Sequence, residues 1–135
     1  MARPVADTGF IVALFNKRDR HHRWAREQAT QFDPPFETCE PVLTETFYLT
    51  TSAVAGQLKN ALGRGAFRTT FAFEDHQEPV LALMDKYADV PMSFADACLV
   101  RMTEILPDPL VLTTDSDFRI YRRHSRQVVP CAMPR

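Results

Sequence analysis

Several residue types that mark unusual protein classes are scarce in this 135-residue sequence, which has four glycines, three cysteines and one tryptophan. So few glycines exclude a collagen-like repeat, and so few cysteines exclude a disulfide scaffold. Cys39, Cys98 and Cys131 also lack the spacing of a metal site and leave one thiol unpaired. This pattern favours reduced thiols and a cytoplasmic protein.

Long apolar runs are also missing. The longest, such as Phe10–Phe15, extend over only a few residues, so we expect no membrane span. No apolar run precedes Asp7, and the sequence therefore predicts no secretory signal peptide. Hydrophobic residues make up 45% of the chain and charged residues 24%. We expect residues 1–135 to form one ordinary globular domain with a sizeable core.

Short apolar strands alternate with helical patterns, which predicts an α/β fold with a largely parallel sheet. The predicted strands are Pro4–Ala6, Phe36–Cys39, Phe71–Phe73, Leu110–Thr114 and Gln127–Val129. The predicted helices are Phe10–Phe15 with Thr8 as its cap, residues 21–31, Pro41–Val54, residues 56–68, Val80–Tyr87 and Ala95–Leu106. Ser93 and Asp96 have the form of a capping box at the start of the last helix.

Four carboxylates fall at the ends of these elements. Asp7 and Asp115 each follow a predicted parallel strand at its carboxyl end, the edge where open α/β sheets bind ligands. Asp96 lies in the first turn of one helix. Glu45 lies one turn into another, on the flank of its apolar face. We expect Glu45 to be partly desolvated there and to need a partner.

Each acid also has a purely structural explanation. Asp7 suits a helix cap or a turn, and Asp96 fits the acidic position of a capping box. Glu45 alone is explained by pairing with an arginine. Asp115 and Asp117 flank Ser116, where either suits the cap of a short helix. These separate explanations do not predict that the acids occur together as a set.

If the four acids converge, either raised pKa values or a bound cation must relieve their mutual repulsion. Two like charges about 4 Å apart repel by roughly 4 kcal/mol at an effective dielectric constant near 20. A cluster of carboxylates therefore has raised pKa values unless a cation neutralises it. Hard oxygen ligands with no histidine or cysteine nearby favour Mg²⁺ or Mn²⁺ over zinc. Such ions typically serve phosphoryl chemistry.

At these residues the sequence resembles the PIN-domain nucleases and, within them, the VapC-like toxins of bacterial type II toxin–antitoxin pairs. The resemblance rests on four ordered motifs, which together extend over almost the whole chain. They are Val5-Ala6-Asp7-Thr8-Gly9, Pro41-Val42-Leu43-Thr44-Glu45, Ser93-Phe94-Ala95-Asp96-Ala97 and Leu112-Thr113-Thr114-Asp115-Ser116-Asp117-Phe118. Each motif alone is weak, but the ordered set is fairly specific.

The resemblance implies a three-layer α/β/α domain and a Mg²⁺- or Mn²⁺-dependent endoribonuclease with one or two bound ions. Its four catalytic and metal-binding acids correspond by position to Asp7, Glu45, Asp96 and Asp115. Asp7 and Asp96 are the expected direct ligands, and the roles of Glu45 and Asp115 stay open. Supporting residues implied in the same way are Thr8, Thr114 and Asp117. Such toxins commonly dimerise and receive a helix of a small antitoxin protein in an apolar groove.

Basic residues concentrate in two short segments, although 16 lysines and arginines against 17 acids leave a net charge of −1. Residues 17–26 hold five basic residues and one acid, and residues 119–126 hold four and none. Positive flanks around an acidic centre suit an RNA whose scissile phosphate reaches a bound metal. A solvated charged face explains either segment alone equally well. The RNA-binding candidates are Lys17, Arg18, Arg20, Arg23, Arg119, Arg122 and Arg123.

Two other functions compete with the ribonuclease. One is a catalytically inert PIN-like module that binds RNA or a protein. The other is a phosphohydrolase that forms an aspartyl intermediate on Asp7, which is disfavoured because no second acid follows two residues later. Among the aromatic residues, Trp24 and Tyr121 suit base stacking, but burial in the core is the favoured interpretation of both.

Overall fold

Two buried strands form the centre of the fold in the computed structural model, which describes residues 1–135. They are β1 (Arg3–Ala6) and β4 (Pro109–Leu112), which pair in parallel with Ala6 beside Leu112. Strands β2 (Phe36–Glu37) and β3 (Phe67–Arg68) extend the sheet beyond β1, and β7 (Cys131–Ala132) extends it beyond β4. The five strands are parallel in the order β3-β2-β1-β4-β7.

Six α-helices cover this sheet and give a three-layer α/β/α fold. They are α1 (Thr8–Phe15), α2 (His22–Ala29), α3 (Glu40–Leu49), α4 (Ser52–Gly63), α5 (Gln77–Lys86) and α6 (Phe94–Ile105). Helix α1 packs against α2, α3 and α4, whereas α6 packs against α5, α3 and β4. Fully buried side chains such as Phe10, Leu58 and Leu99 fill the space between these layers. The predicted fold class is therefore confirmed.

The starts of α1 and α6 are fixed by side-chain caps. Asp7 has extended backbone geometry and its carboxylate accepts a hydrogen bond from the Thr8 amide at 2.7 Å, so Asp7 caps α1. The prediction that Thr8 is the cap is wrong by one residue, because the strand ends at Ala6. Ser93 caps α6 as predicted, since its hydroxyl accepts from the Asp96 amide at 3.0 Å.

The middle of the chain departs from the prediction. Helix α4 ends at Gly63, and Gly65 reverses the chain with φ of +77°, a value that favours glycine. Phe67 then enters the sheet as part of β3 and its ring lies 5.8 Å from that of Phe36. The predicted helix over 56–68 is therefore wrong at its end. The predicted strand Phe71–Phe73 is also wrong, because Phe73 begins a 3₁₀ helix.

The carboxyl-terminal segment also differs in detail. Gln127–Val128 forms β6, which pairs antiparallel with β5 (Arg122–Arg123) in a separate hairpin. The predicted strand at Gln127–Val129 therefore exists but lies outside the main sheet. The fifth parallel strand is β7, which the sequence analysis did not identify. None of the helices has both the length and the apolar character needed to cross a lipid bilayer.

Candidate functional site

The direction in which successive strands are added to the sheet reverses between β1 and β4. The chain leaves β1 towards β2 on one side, whereas β4 lies on the other side of β1. Such a switch point leaves a crevice at the carboxyl ends of the strands, where open α/β sheets bind ligands. Asp7 follows β1 directly, and Thr113 and Asp115 follow β4. The topology therefore brings these three residues to one edge of the sheet.

Asp7 is the most buried of the predicted acids, with 6% of its surface exposed. Its carboxylate accepts hydrogen bonds from the Thr8 amide at 2.7 Å and from the Thr113 hydroxyl at 2.6 Å. Burial nevertheless raises the pKa of Asp7 to about 7, and the charges of Asp96 and Asp115 also raise it, while the two hydrogen bonds lower it. The ionised carboxylate is thus poorly compensated in the folded protein.

Asp96 is held in a similar way on the first turn of α6. Its carboxylate accepts a hydrogen bond from the hydroxyl of the fully buried Tyr121 at 2.8 Å. Burial raises the pKa of Asp96 to about 6, and the charges of Asp115 and Glu45 also raise it, while the Tyr121 and Ser93 hydrogen bonds lower it. The charge of Asp96 in turn raises the pKa of Asp7. The four predicted acids therefore form one electrostatically coupled cluster.

Glu45 lies on α3 at the outer side of this cluster. The Thr8 hydroxyl donates a hydrogen bond to its carboxylate at 3.1 Å, so α1 and α3 are linked through the acids. The expectation that Glu45 is partly desolvated is wrong, because Glu45 is exposed. Helix α3 buries Val42 and Thr46, and Glu45 lies next to that buried face on the solvent side. Its expected partner is a hydroxyl and not an arginine.

Thr113 connects Asp7 to Asp115 and was not identified from the sequence. Its hydroxyl donates to Asp7 and accepts from the Asp115 amide at 2.9 Å, so one side chain fixes both loop and acid. The Thr113-Thr114 pair before Asp115 was the available signal. Thr114, the residue named from the resemblance, instead packs over Gly9, where a Cβ atom would overlap its hydroxyl oxygen.

The loop after β4 gives Asp115 and Asp117 different surroundings. The Asp115 carboxylate accepts from the Asp117 amide at 2.9 Å and caps the 3₁₀ helix Ser116–Arg119, as one structural explanation predicted. The charge of Asp115 also raises the pKa of both Asp7 and Asp96. Capping and membership of the acidic cluster are therefore compatible for Asp115. Asp117 is half-buried, and a supporting role for it stays a prediction.

None of the four acids forms an ion pair with a lysine, arginine or histidine. Glu37 provides the contrast within the same sheet. It is 1% exposed, and it is neutralised by ion pairs with Arg68 and with Arg3 at 3.7 Å. Where this fold buries a structural carboxylate it supplies arginines, and at the switch point it supplies none. The acidic cluster therefore lacks the compensation that a structural role requires.

The donor chemistry of the cluster fits a hard divalent cation. All four candidate ligands are carboxylates, and Mg²⁺ and Mn²⁺ prefer oxygen ligands. No three histidine, cysteine, aspartate or glutamate side chains are arranged as a ready set of metal ligands. Mg²⁺ does not require such a set, because it commonly binds through one or two carboxylates and keeps several waters. Asp7 and Asp96 fit that description.

The predicted RNA-binding residues fall into two groups. Four of them are exposed on the turn before α2 and on α2 itself, and Arg119 is exposed beyond β4. The other two brace the chain, since the Arg122 guanidinium donates to the Arg119 carbonyl at 2.8 Å and that of Arg123 donates to the Thr103 carbonyl. The four exposed residues near α2 are Lys17, Arg18, Arg20 and Arg23.

The two aromatic candidates for base stacking belong to the core. Tyr121 is fully buried and contacts Tyr87 and Phe118 edge to face. Trp24 is half-buried and packs edge to face on Phe10, with ring centroids 6.0 Å apart. The favoured interpretation, burial, is confirmed for Tyr121. Tyr121 also donates the hydrogen bond to Asp96, a contact that the sequence alone did not indicate.

Comparison with known proteins identifies the family. No curated protein matches this chain. The profile of the PIN domain matches residues 5–123, a segment that begins in β1, ends in β5 and contains all four acids of the cluster. This match extends over far more than half of the 135 residues. The chain therefore belongs to the PIN domain family.

Proposed function

We propose that this protein is a Mg²⁺- or Mn²⁺-dependent endoribonuclease that hydrolyses RNA phosphodiester bonds. PIN domains are generally nucleases, which supports hydrolysis of a nucleic acid. The main support for the proposal is the uncompensated negative charge of the cluster. Four coupled carboxylates lie at the ligand-binding edge of the sheet without any cationic side chain to neutralise them. One or two divalent ions would supply the missing positive charge.

The four acids have different proposed roles in binding the cation and the attacking water. Asp7 and Asp96 are the proposed direct ligands, because both are buried and each is oriented by a hydroxyl donor. Glu45 and Asp115 complete the cluster, as further ligands or by orienting the attacking water. A bound cation would neutralise charge on the phosphate and assist deprotonation of that water. Burial of Asp7 and Asp96 strengthens their attraction for such a cation.

The exposed basic residues support a long polyanionic substrate. The segment from Lys17 to Arg23 follows α1, the helix that Asp7 caps, and Arg119 ends the 3₁₀ helix that Asp115 caps. Along the chain, each positive segment therefore follows an acid of the cluster after one short element. Phosphates on either side of the cut bond would be attracted to them, while the scissile phosphate meets the cation.

The resemblance to VapC-like toxins supports a more specific proposal. We place the protein as the toxin of a toxin–antitoxin pair in the cytoplasm, with a small antitoxin protein as its partner and a homodimer as its assembly. A short reading frame beside this one, whose product suppresses the RNA cleavage when co-expressed, is the expected result. A product without effect on cleavage would remove the toxin assignment and leave the nuclease proposal intact.

The nuclease proposal is tested with purified protein and a mixture of labelled single-stranded RNAs. We expect cleavage with Mg²⁺ or Mn²⁺, none with EDTA, and at least a hundredfold slower cleavage by Asp7→Asn and by Asp96→Asn. Asp85→Asn, an exposed acid on α5 outside the cluster, is the matched control and should cleave normally. Metal-dependent cleavage that persists in both Asp7→Asn and Asp96→Asn would refute the assignment of these residues to the site. Absence of cleavage in any metal would favour the inert RNA- or protein-binding module.

A further inference from the structure

A groove of about 490 Å³ opens beside the acidic cluster, between α3, the 3₁₀ helix at Phe73 and the start of α6. Glu45 lines both the groove and the cluster, so the two are continuous. The volume lies within the range of about 300–1,000 Å³ that is usual for small-ligand sites. The proposed nuclease chemistry uses the acids and assigns this groove no part in cleavage.

Three phenylalanine rings line the groove, those of Phe71, Phe73 and Phe94. Phe94 lies on the first turn of α6, two residues before Asp96, and 36% of its surface is exposed. Its ring packs edge to face on Phe73, with centroids 4.9 Å apart and an interplanar angle of 81°. Phe71, which also lines the groove, is buried. Phe94 thus presents an aromatic surface to solvent in a groove that also contains Glu45 of the acidic cluster.

The charge of the groove decides which part of a nucleic acid fits it. Its lining contains no lysine, arginine or histidine, and it includes the carboxylates of Glu40 and Glu45. A phosphate would be repelled there, whereas a flat, uncharged nucleobase would find apolar walls and an aromatic ring. Unpaired bases are recognised in proteins by stacking of this kind, which is worth about 1–3 kcal/mol per base.

We propose that the groove binds one unpaired nucleobase next to the scissile phosphate, stacked on Phe94. This inference rests on the nuclease function proposed above. The backbone passes the acidic cluster and its positive flanks, and the neighbouring base turns into the groove at Glu45. Base pairing would prevent that turn, because a paired base stays within its helical stack.

The test is a cycle that changes the protein and the RNA together. Single-turnover cleavage of one short RNA, with subsaturating protein, is measured for the wild type, Phe94→Ala and Phe94→Leu. Each protein is also given RNAs that lack one base at successive positions around the cut. Tyr48→Ala is the matched control, since Tyr48 is 87% exposed and lies outside the groove.

We expect Phe94→Ala to slow cleavage of the intact RNA by about fivefold to a hundredfold. Removal of the base at one position beside the cut should slow the wild type by a similar factor and slow Phe94→Ala no further. Phe94→Leu should fold normally but cleave the intact RNA almost as slowly as Phe94→Ala, because leucine is apolar but does not stack on a base. Tyr48→Ala should behave as the wild type at every position.

Independent effects of the two changes at every position would overturn the proposal. So would unchanged cleavage by Phe94→Ala together with binding of a basic amphipathic helical peptide that this variant loses, since the groove would then belong to a protein helix. If the wild type cleaves no RNA, the nuclease proposal fails and the groove is tested by fluorescence. Quenching of a 2-aminopurine RNA by the wild type but not by Phe94→Ala would support base binding, and equal quenching would refute it.

Discussion

Replacing Asp7 with asparagine should stabilise the protein when no divalent metal is present. The pKa of Asp7 is raised from 3.8 to about 7, chiefly by burial and further by the charges of Asp96 and Asp115. The folded protein therefore binds this proton more tightly than the unfolded chain. The resulting contribution to stability is complete below about pH 3.8 and is lost as the pH rises through about 7.

The size of the effect follows from this difference in pKa. At pH 8 the ionised Asp7 carboxylate lowers the free energy of unfolding by roughly 4 kcal/mol relative to an acid of ordinary pKa. Asparagine is uncharged at every pH and keeps an oxygen that caps α1. It cannot accept the Thr113 hydrogen bond at its amide nitrogen, which costs about 1–2 kcal/mol. The net expectation at pH 8 is stabilisation by roughly 2–3 kcal/mol.

Thermal unfolding in EDTA from pH 4 to pH 8 measures this effect. For a domain of this size, 2–3 kcal/mol corresponds to a rise of roughly 10 °C in the unfolding midpoint of Asp7→Asn at pH 8. The rise should shrink and reverse as the pH falls towards 4, because Asp7 of the wild type becomes protonated. A variant that is destabilised equally at pH 4 and pH 8 would refute the assignment of Asp7 as a strained, buried carboxylate.

Three further substitutions have defined outcomes. Tyr121→Phe removes the hydroxyl donor of Asp96, so the protein should lose about 1–2 kcal/mol in urea unfolding and the acidic limb of its cleavage profile should move to higher pH. Gly9→Ala places a Cβ against the Thr114 hydroxyl and should cost about 1–3 kcal/mol in the same measurement. Gly56→Ala meets no atom within 4 Å inside α4 and should stabilise the protein by about 0.5–1 kcal/mol.

The same measurements can contradict the predictions for the two variants near the site. An unchanged pH profile in Tyr121→Phe would mean that this hydroxyl does not set the pKa of Asp96. Equal effects of alanine at the two glycines would mean that the close approach of Thr114 to α1 does not constrain Gly9. Both variants near the site are compared with Gly56→Ala under the same conditions, so a general effect of purification is excluded.

The parts of the fold that were predicted are those with strong local signals. The buried strand at Val5 and the strand before Asp115 were found because short segments typical of strands end at acids, and α6 was found because Ser93 and Asp96 mark its start. The two-residue strands β3 and β7 carry no such pattern. Phe67 lies in a strand through its backbone pairing and ring contact with Phe36, a residue far away in sequence.

The candidate site shows the same division. Asp7, Asp96 and Asp115 stood out because each lies at a recognisable end of a strand or helix. The hydroxyl groups that orient them did not, because Thr113 and Tyr121 reach the acids through pairings 106 and 25 residues apart in sequence. The exposure of Glu45 also depends on how α3 lies over its neighbours, which the spacing of apolar residues along α3 does not determine.

The central claim is that the carboxylates at the switch point form a site for a divalent cation. Calorimetric titration with Mn²⁺ tests it most directly, on the wild type, Asp7→Asn, Asp96→Asn and the control Asp85→Asn. We expect Mn²⁺ binding by the wild type and Asp85→Asn, and severely weakened binding by Asp7→Asn and Asp96→Asn. No detectable binding by the wild type at millimolar Mn²⁺, or equal binding by all four proteins, would contradict it.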